Sequence, residues 1–152
     1  RNPERHEKFD NTMVQLLKWN VLPIINENDT VSTTEIKIGD NDTLAAIVAE
    51  SVGADLLVLM SDIDGLFDSD PHQNPNAKFI ERIDEWSDEL MKLGGCAGSA
   101  RGTGGMFTKL KAAKIVSESG CDMIIMNGAF PENLYNIIDG KPIGTRFFAK
   151  KG

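Results

Sequence analysis

An α/β fold, with helices layered on a mostly parallel β-sheet, is the class this sequence predicts, and three observations predict it. The segments DLLVLM (residues 55–60) and CDMIIM (residues 121–126) are almost unbroken apolar runs, the pattern of strands covered on both faces. Elsewhere apolar residues recur at helical spacing, as in Leu44, Ile47, Val48 and Val52. Stretches rich in Gly, Asp, Asn and Pro separate these patterns, so that strand and helix alternate along the chain.

The elements follow in order. Phe9, Met13, Leu16 and Leu17 lie on one face of a helix ending near Asn20. The run VLPII (residues 21–25) reads as a buried strand whose start Pro23 marks as an edge or an irregularity, and residues 33–38 alternate as a second, shorter strand. A helix spans residues 41–52, stopped by Gly53. The strand at 55–60, apolar on both faces, belongs in the middle of the sheet. Then come an Asp-, Gly- and Pro-rich loop, a short strand at 78–83 and a helix near 85–93. The loop GGCAGSARGTGG leads into a helix at 106–118, followed by the strand at 121–126, a short helix at 132–138 and a last strand at 145–148.

At 152 residues, 41% hydrophobic and 26% charged, the chain can bury one core and is expected to form one compact unit. No run approaches the roughly 18 apolar residues of a membrane span, and no secretory leader precedes the first helix, which predicts a cytoplasmic protein. A net charge of −7 argues against general attraction to nucleic acid or to an anionic membrane. Cys96 and Cys121 lack zinc-site spacing and read as two reduced thiols, and His6 and His72 read as surface residues.

An anionic ligand must then be held locally, and RGTGGMFTKLKAAK is the candidate. Its glycines admit close backbone approach, the helix start that follows offers unpaired N–H groups, and Lys109 lies one turn beyond Gly105 on the same face. A cation so near a helix start opposes the helix dipole unless an anion sits there. Neither GxxxxGK[ST] nor GxGxxG fits the loop.

Two further segments bear on the site. SDIDGLFDSDP lacks EF-hand spacing, because Gly65 follows Asp62 by only three residues; it reads either as a turn beside a nucleotide or as a plain acidic turn. The clusters at 26–29 and 40–42 flank a short strand. Asp40 and Asp42 could cap the helix that begins there, but two clusters returning to one rim suit a clamp for a ligand ammonium group and a brace for lysines. Strand ends at 26–29, 61–62 and 127–128 all fall on the carboxyl rim, where open α/β sheets bind ligands.

The motifs PIINENDTVSTTEIKIGDND, SDIDGLFDSDP and GTGGMFTKLKAA, in this order and spacing, resemble those of the glutamate 5-kinases in the amino-acid kinase family, over residues 11–149. The resemblance implies a three-layer α/β/α sandwich and transfer of the γ-phosphoryl of MgATP to the side-chain carboxylate of L-glutamate, opening proline synthesis. It implies catalytic roles for Lys109, which would neutralise the transferring phosphoryl, and for Asp42, which would organise that lysine and a partner lysine. Asn26, Asp29 and Asn41 would hold glutamate. Ser61 and Asp62 would line the nucleotide, while residues 103–109, with Thr103, Gly104, Gly105, Met106 and Lys109 foremost, would cradle its phosphates, with Mg2+ held mainly through ATP. Proline is the implied feedback inhibitor and a homo-oligomer the implied assembly.

The family's opening strand, with its lysine and glycine-rich turn, does not precede Arg1, and no PUA-type domain follows Gly152. Residues 1–152 are therefore expected to be the nucleotide-side part of one kinase domain, inactive or nearly so alone. Two other readings stay open: a related kinase with another acceptor, and a non-catalytic module sensing proline or glutamate. A pure sensor has no use for the glycine loop and Lys109.

Overall fold

The structure is a computed structural model describing residues 3–26, 40–71, 73–94 and 104–150. Helix α1 (Pro3–Lys18) ends where Asn20 takes a left-handed conformation, φ +55°. Helix α2 (Asn41–Val52) leads into strand β1 (Leu56–Ser61), and a hairpin of β2 (Leu66–Phe67) and β3 (Phe79–Ile80) follows. Next come β4 (Arg82–Ile83), α3 (Leu90–Leu93), α4 (Gly104–Glu118), β5 (Asp122–Asn127), α5 (Asn133–Ile138) and β6 (Thr145–Phe147). The main sheet has the order β1-β5-β6-β4; β1 with β5 and β4 with β6 are parallel, and β5 with β6 is antiparallel.

The chain is a three-layer α/β/α sandwich. Successive residues of β5 face opposite sides, so Met123 and Ile125 enter a core with Leu110, Ala112, Ala113 and Val116 of α4 and Ala46 and Ala49 of α2. Ile124 and Met126 meet Ile137 of α5 on the other side. Fully burying a side chain such as Leu110 contributes about 1.5–3 kcal/mol. The alanines on the facing sides of α2 and α4 let the two backbones approach closely. The buried stripe of α2 is Thr43, Ala46 and Ala49, while its larger residues Leu44, Ile47 and Val48 are only half-buried.

Local chemistry sets the ends of α2. Asp40 is its N-cap, accepting from the Thr43 amide at 2.6 Å and the Thr43 hydroxyl at 2.8 Å, and Gly53 closes the helix at φ +62°. Asp40→Ala is expected to cost about 1 kcal/mol, read as a lower denaturation midpoint with unchanged slope. Asp40→Asn should retain most of that stability.

A side-chain latch fixes the hairpin to the main sheet. The fully buried Thr145 hydroxyl accepts from the Leu66 amide at 2.8 Å and donates to the Ile80 carbonyl at 2.6 Å. A Cβ at Gly65 would strike that hydroxyl and the Phe79 ring, which explains a glycine there.

Four sequence expectations are corrected. Residues 21–25 are not a buried strand: they are irregular, with Leu22 85% and Ile24 94% exposed, and among the described residues no strand lies beside β1's outer edge for them to join. Among the described residues β1 therefore lies at the edge of the sheet, with Leu59 its buried residue, and β5 takes an interior place. The strand expected at 78–83 is divided between the hairpin and the main sheet, with Glu81 at the crossing. The helix expected at 85–93 shrinks to Leu90–Leu93. Asp84, Ser87 and Asp88 favour turns, and Asp88 binds Lys114 at 2.9 Å instead. The strand expected at 33–38 lies outside the described residues.

Candidate active site

Short connections decide where the helix starts lie. Residues 53–55 join α2 to β1 and residues 119–121 join α4 to β5, so each helix folds back along its strand. Their N-termini therefore stand level with the carboxyl ends of β1 and β5. Asp42, in the first turn of α2, thus meets the start of α4.

The contact is specific. Lys109 Nζ donates to Asp42 Oδ2 at 3.1 Å and to the Gly105 carbonyl at 3.4 Å. The Thr108 hydroxyl donates to the same Asp42 oxygen at 2.6 Å and lies 2.9 Å from the same Gly105 carbonyl. The pair is largely dry, with the Lys109 side chain 11% and that of Asp42 21% exposed. Burial of this kind weakens solvent screening, so the attraction is stronger than in a surface pair. The first turn of α4 carries no acid, and Asp42 supplies the local negative charge. A buried ammonium beside the positive end of a 15-residue helix suits an anionic phosphate.

The neighbouring rim is polar. Ser61 and Asn127 are register partners at the ends of β1 and β5, and Gly128 donates its amide to the Ser61 carbonyl at 2.7 Å. Ser61 Oγ binds Asp62 at 3.0 Å, and Asn127 Nδ2 binds Asp64 at 2.8 Å. Beyond it, the acidic loop is built of turn contacts. Asp68 accepts from the Lys78 amide, which holds its carboxyl below the usual range, and Asp70 accepts from Gln73 at 2.8 Å. Among the described residues no three His, Cys, Asp or Glu side chains gather to hold a metal. Cys121 is buried away from this rim, and burial, with the Asp122 carboxylate next to it, pushes its thiol up and keeps it unreactive.

The structure thus brings Asp42, Gly105 and Lys109 together, and separately Ser61 and Asp62. Asn41 is exposed at the first residue of α2, beside Asp42, and Asn26 ends the exposed segment 21–26. Met106, partly buried, packs against the core at the start of α4. Gly104 opens α4, whereas Asp29 and Thr103 lie outside the described residues. The sequence reading placed Thr108 inside the phosphate-cradling span 103–109 but not its bond to Asp42, and it gave no role to Asp64, which orients Asn127. The signal for Thr108 was its place next to Lys109, one turn from Gly105. Nothing local marks Asp64.

The fold is the three-layer α/β/α sandwich of amino-acid-kinase-like domains, and the chain belongs to the amino acid kinase family, whose sequence profile matches residues 1–127. Its sequence is similar to those of bacterial glutamate 5-kinases. It is 55% identical to the Caldanaerobacter subterraneus subsp. tengcongensis enzyme over 148 residues, covering 97% of this chain and 40% of that one. It is 50% identical to the Clostridium perfringens enzyme over 146 residues, covering 93% of this chain and 54% of that one. The chain thus spans about two fifths to half the length of these relatives. Its fold matches Giardia lamblia carbamate kinase bound to AMP-PNP, at TM-score 0.64 and 22% identity over 93% of this chain and 49% of that one. It also matches Bacillus anthracis UMP kinase, at TM-score 0.63 and 17% identity over 93% of this chain and 52% of that one.

Proposed function

We propose that the full-length protein transfers the γ-phosphoryl of MgATP to the side-chain carboxylate of L-glutamate, giving γ-glutamyl phosphate. The carrying observation is the dry Asp42–Lys109 pair at the start of α4, and the 55% identity to a glutamate 5-kinase supports the choice of acceptor. A carboxylate oxygen of glutamate attacks the γ-phosphorus, and the bond to the β,γ-bridging oxygen breaks, its electron pair leaving with ADP. The acceptor is already an anion, so no general base is needed, and catalysis rests on positioning and charge neutralisation.

Lys109 would neutralise charge on the transferring phosphoryl, with Asp42 fixing its ammonium. Thr103, Gly104, Gly105 and Met106 would offer backbone N–H groups to the phosphates, and Ser61 and Asp62 would line the nucleotide. Asn26, Asp29 and Asn41 would hold glutamate, with Asp29 taking its ammonium group. Mg2+ would arrive with ATP and supply Lewis-acid screening of the phosphate oxygens. In this reading residues 1–152 are the nucleotide-side part of the kinase domain, proline is the inhibitor, and the assembly is a cytoplasmic homo-oligomer. No described helix is long and apolar enough to cross a membrane.

The test is ADP release by the full-length protein with MgATP and, in turn, L-glutamate, L-aspartate, N-acetyl-L-glutamate and uridine 5′-monophosphate. L-glutamate alone is expected to stimulate release. Stimulation by another acceptor moves the assignment to that acceptor, and none with any acceptor removes the kinase reading.

A further inference from the structure

We propose that Thr108 is a positioning residue of the phosphoryl-transfer centre, acting on Lys109 through Asp42; this rests on the kinase reading above. Two donors on adjacent residues of α4 converge on the same two acceptors. The Thr108 hydroxyl lies 2.6 Å from Asp42 Oδ2 and 2.9 Å from the Gly105 carbonyl, and Lys109 Nζ lies 3.1 Å and 3.4 Å from the same pair. A hydroxyl has one proton to give, and the shorter contact to a charged oxygen takes it. The shortest side-chain hydrogen bond on Asp42 therefore comes from Thr108, not from the lysine.

That bond does what the lysine cannot do for itself. An ammonium on a flexible four-carbon stem follows its carboxylate, and a carboxylate held only by that ammonium is free to swing about its own side-chain torsion. Thr108 is β-branched on a helix, and that branching restricts its side chain to few rotamers. The hydroxyl then pins one oxygen of Asp42 across the gap between α2 and α4, a contact between residues 66 apart in sequence. Asp42 in turn sets where the Lys109 ammonium stands. Displacing a catalytic group by about 1 Å costs on the order of 100-fold in rate, so a pin of this kind acts on turnover more than on binding.

The test compares wild type, Thr108→Val, Thr108→Ser, Asp42→Asn and the Thr108→Val/Asp42→Asn double variant in the full-length protein, with MgATP and L-glutamate. Melting temperature and ATP Kd are measured for each. Thr108→Val keeps the shape and loses the hydroxyl. It is expected to lower kcat about 10- to 100-fold while glutamate KM and ATP Kd stay within about 3-fold. Thr108→Ser is expected to recover kcat to within about 3-fold of wild type, and the double variant to be no slower than Asp42→Asn alone, because both act through one carboxylate. The proposal is overturned by wild-type kcat in Thr108→Val, by a loss that serine does not restore, or by losses that multiply in the double variant. A wild type that turns over no glutamate overturns the glutamate reading as well, whereas an active wild type beside an unaffected Thr108→Val overturns this proposal alone.

Discussion

Replacing Lys109 by Met in the full-length protein is expected to lower kcat with L-glutamate by about 1,000-fold. Methionine keeps most of the apolar stem of this buried side chain, so the change removes the charge and little else. Removing one partner of a fully buried ion pair costs about 3–5 kcal/mol. Here the Asp42 side chain keeps 21% exposure and its Thr108 donor, which brings the expected loss of stability to about 1–2 kcal/mol. Steady-state kinetics beside a denaturant titration therefore separates the two roles: a large fall in kcat with a small shift in midpoint. Lys109→Arg should not rescue the rate, because a planar guanidinium cannot stand where a compact ammonium contacts both Asp42 and the Gly105 carbonyl. Near-normal turnover in Lys109→Met would place the phosphate-neutralising charge elsewhere.

The largest structural effect is expected from Gly144→Ala. Gly144 has φ +65°, and a Cβ there would fall inside contact distance of the Ile125 carbonyl oxygen in the interior strand β5. An alanine in the left-handed region costs about 1–2 kcal/mol, and forcing atoms against packed backbone adds about 1–3 kcal/mol. The sum, about 2–5 kcal/mol, corresponds to a melting temperature lower by roughly 10 °C. Gly140→Ala is the control: its φ of +77° carries the same conformational cost, but nothing stands within 4 Å of the added Cβ. Thermal unfolding should rank Gly144→Ala well below Gly140→Ala. Equal midpoints would mean that the β6 entry can move off β5 at little cost.

The parts of the fold legible in the sequence are those decided by local chemistry. The residues of α2 announce its start through Asp40 and its stop through Gly53, and the apolar run at 121–126 marks the strand that lies at the heart of the sheet. What escaped depends on neighbours far along the chain. An apolar run such as residues 21–25 says that a strand would be stable if flanked, not whether a flanking strand exists. Residues 78–83 are one β-prone run, and only the latch from Thr145, 79 residues from Leu66, divides it between two sheets. Asp40 and Asp42 look equivalent as letters. Helix geometry makes the first a cap and turns the second toward α4, where Lys109 waits 67 residues away. The site was readable through its lysine and carboxylate, but the bond from Thr108 to Asp42 was not, because a threonine on a helix is ordinary until something stands opposite it.

The central claim is that the phosphoryl group passes to the side-chain carboxylate of glutamate at the Asp42–Lys109 centre. Its most direct test is to run full-length wild type and Asp42→Asn with MgATP, L-glutamate and hydroxylamine, and to quantify γ-glutamyl hydroxamate against ADP. The account predicts hydroxamate matching ADP in the wild type and a loss of about 100-fold or more of both in the variant. ADP without hydroxamate, or a variant as active as the wild type, would contradict it.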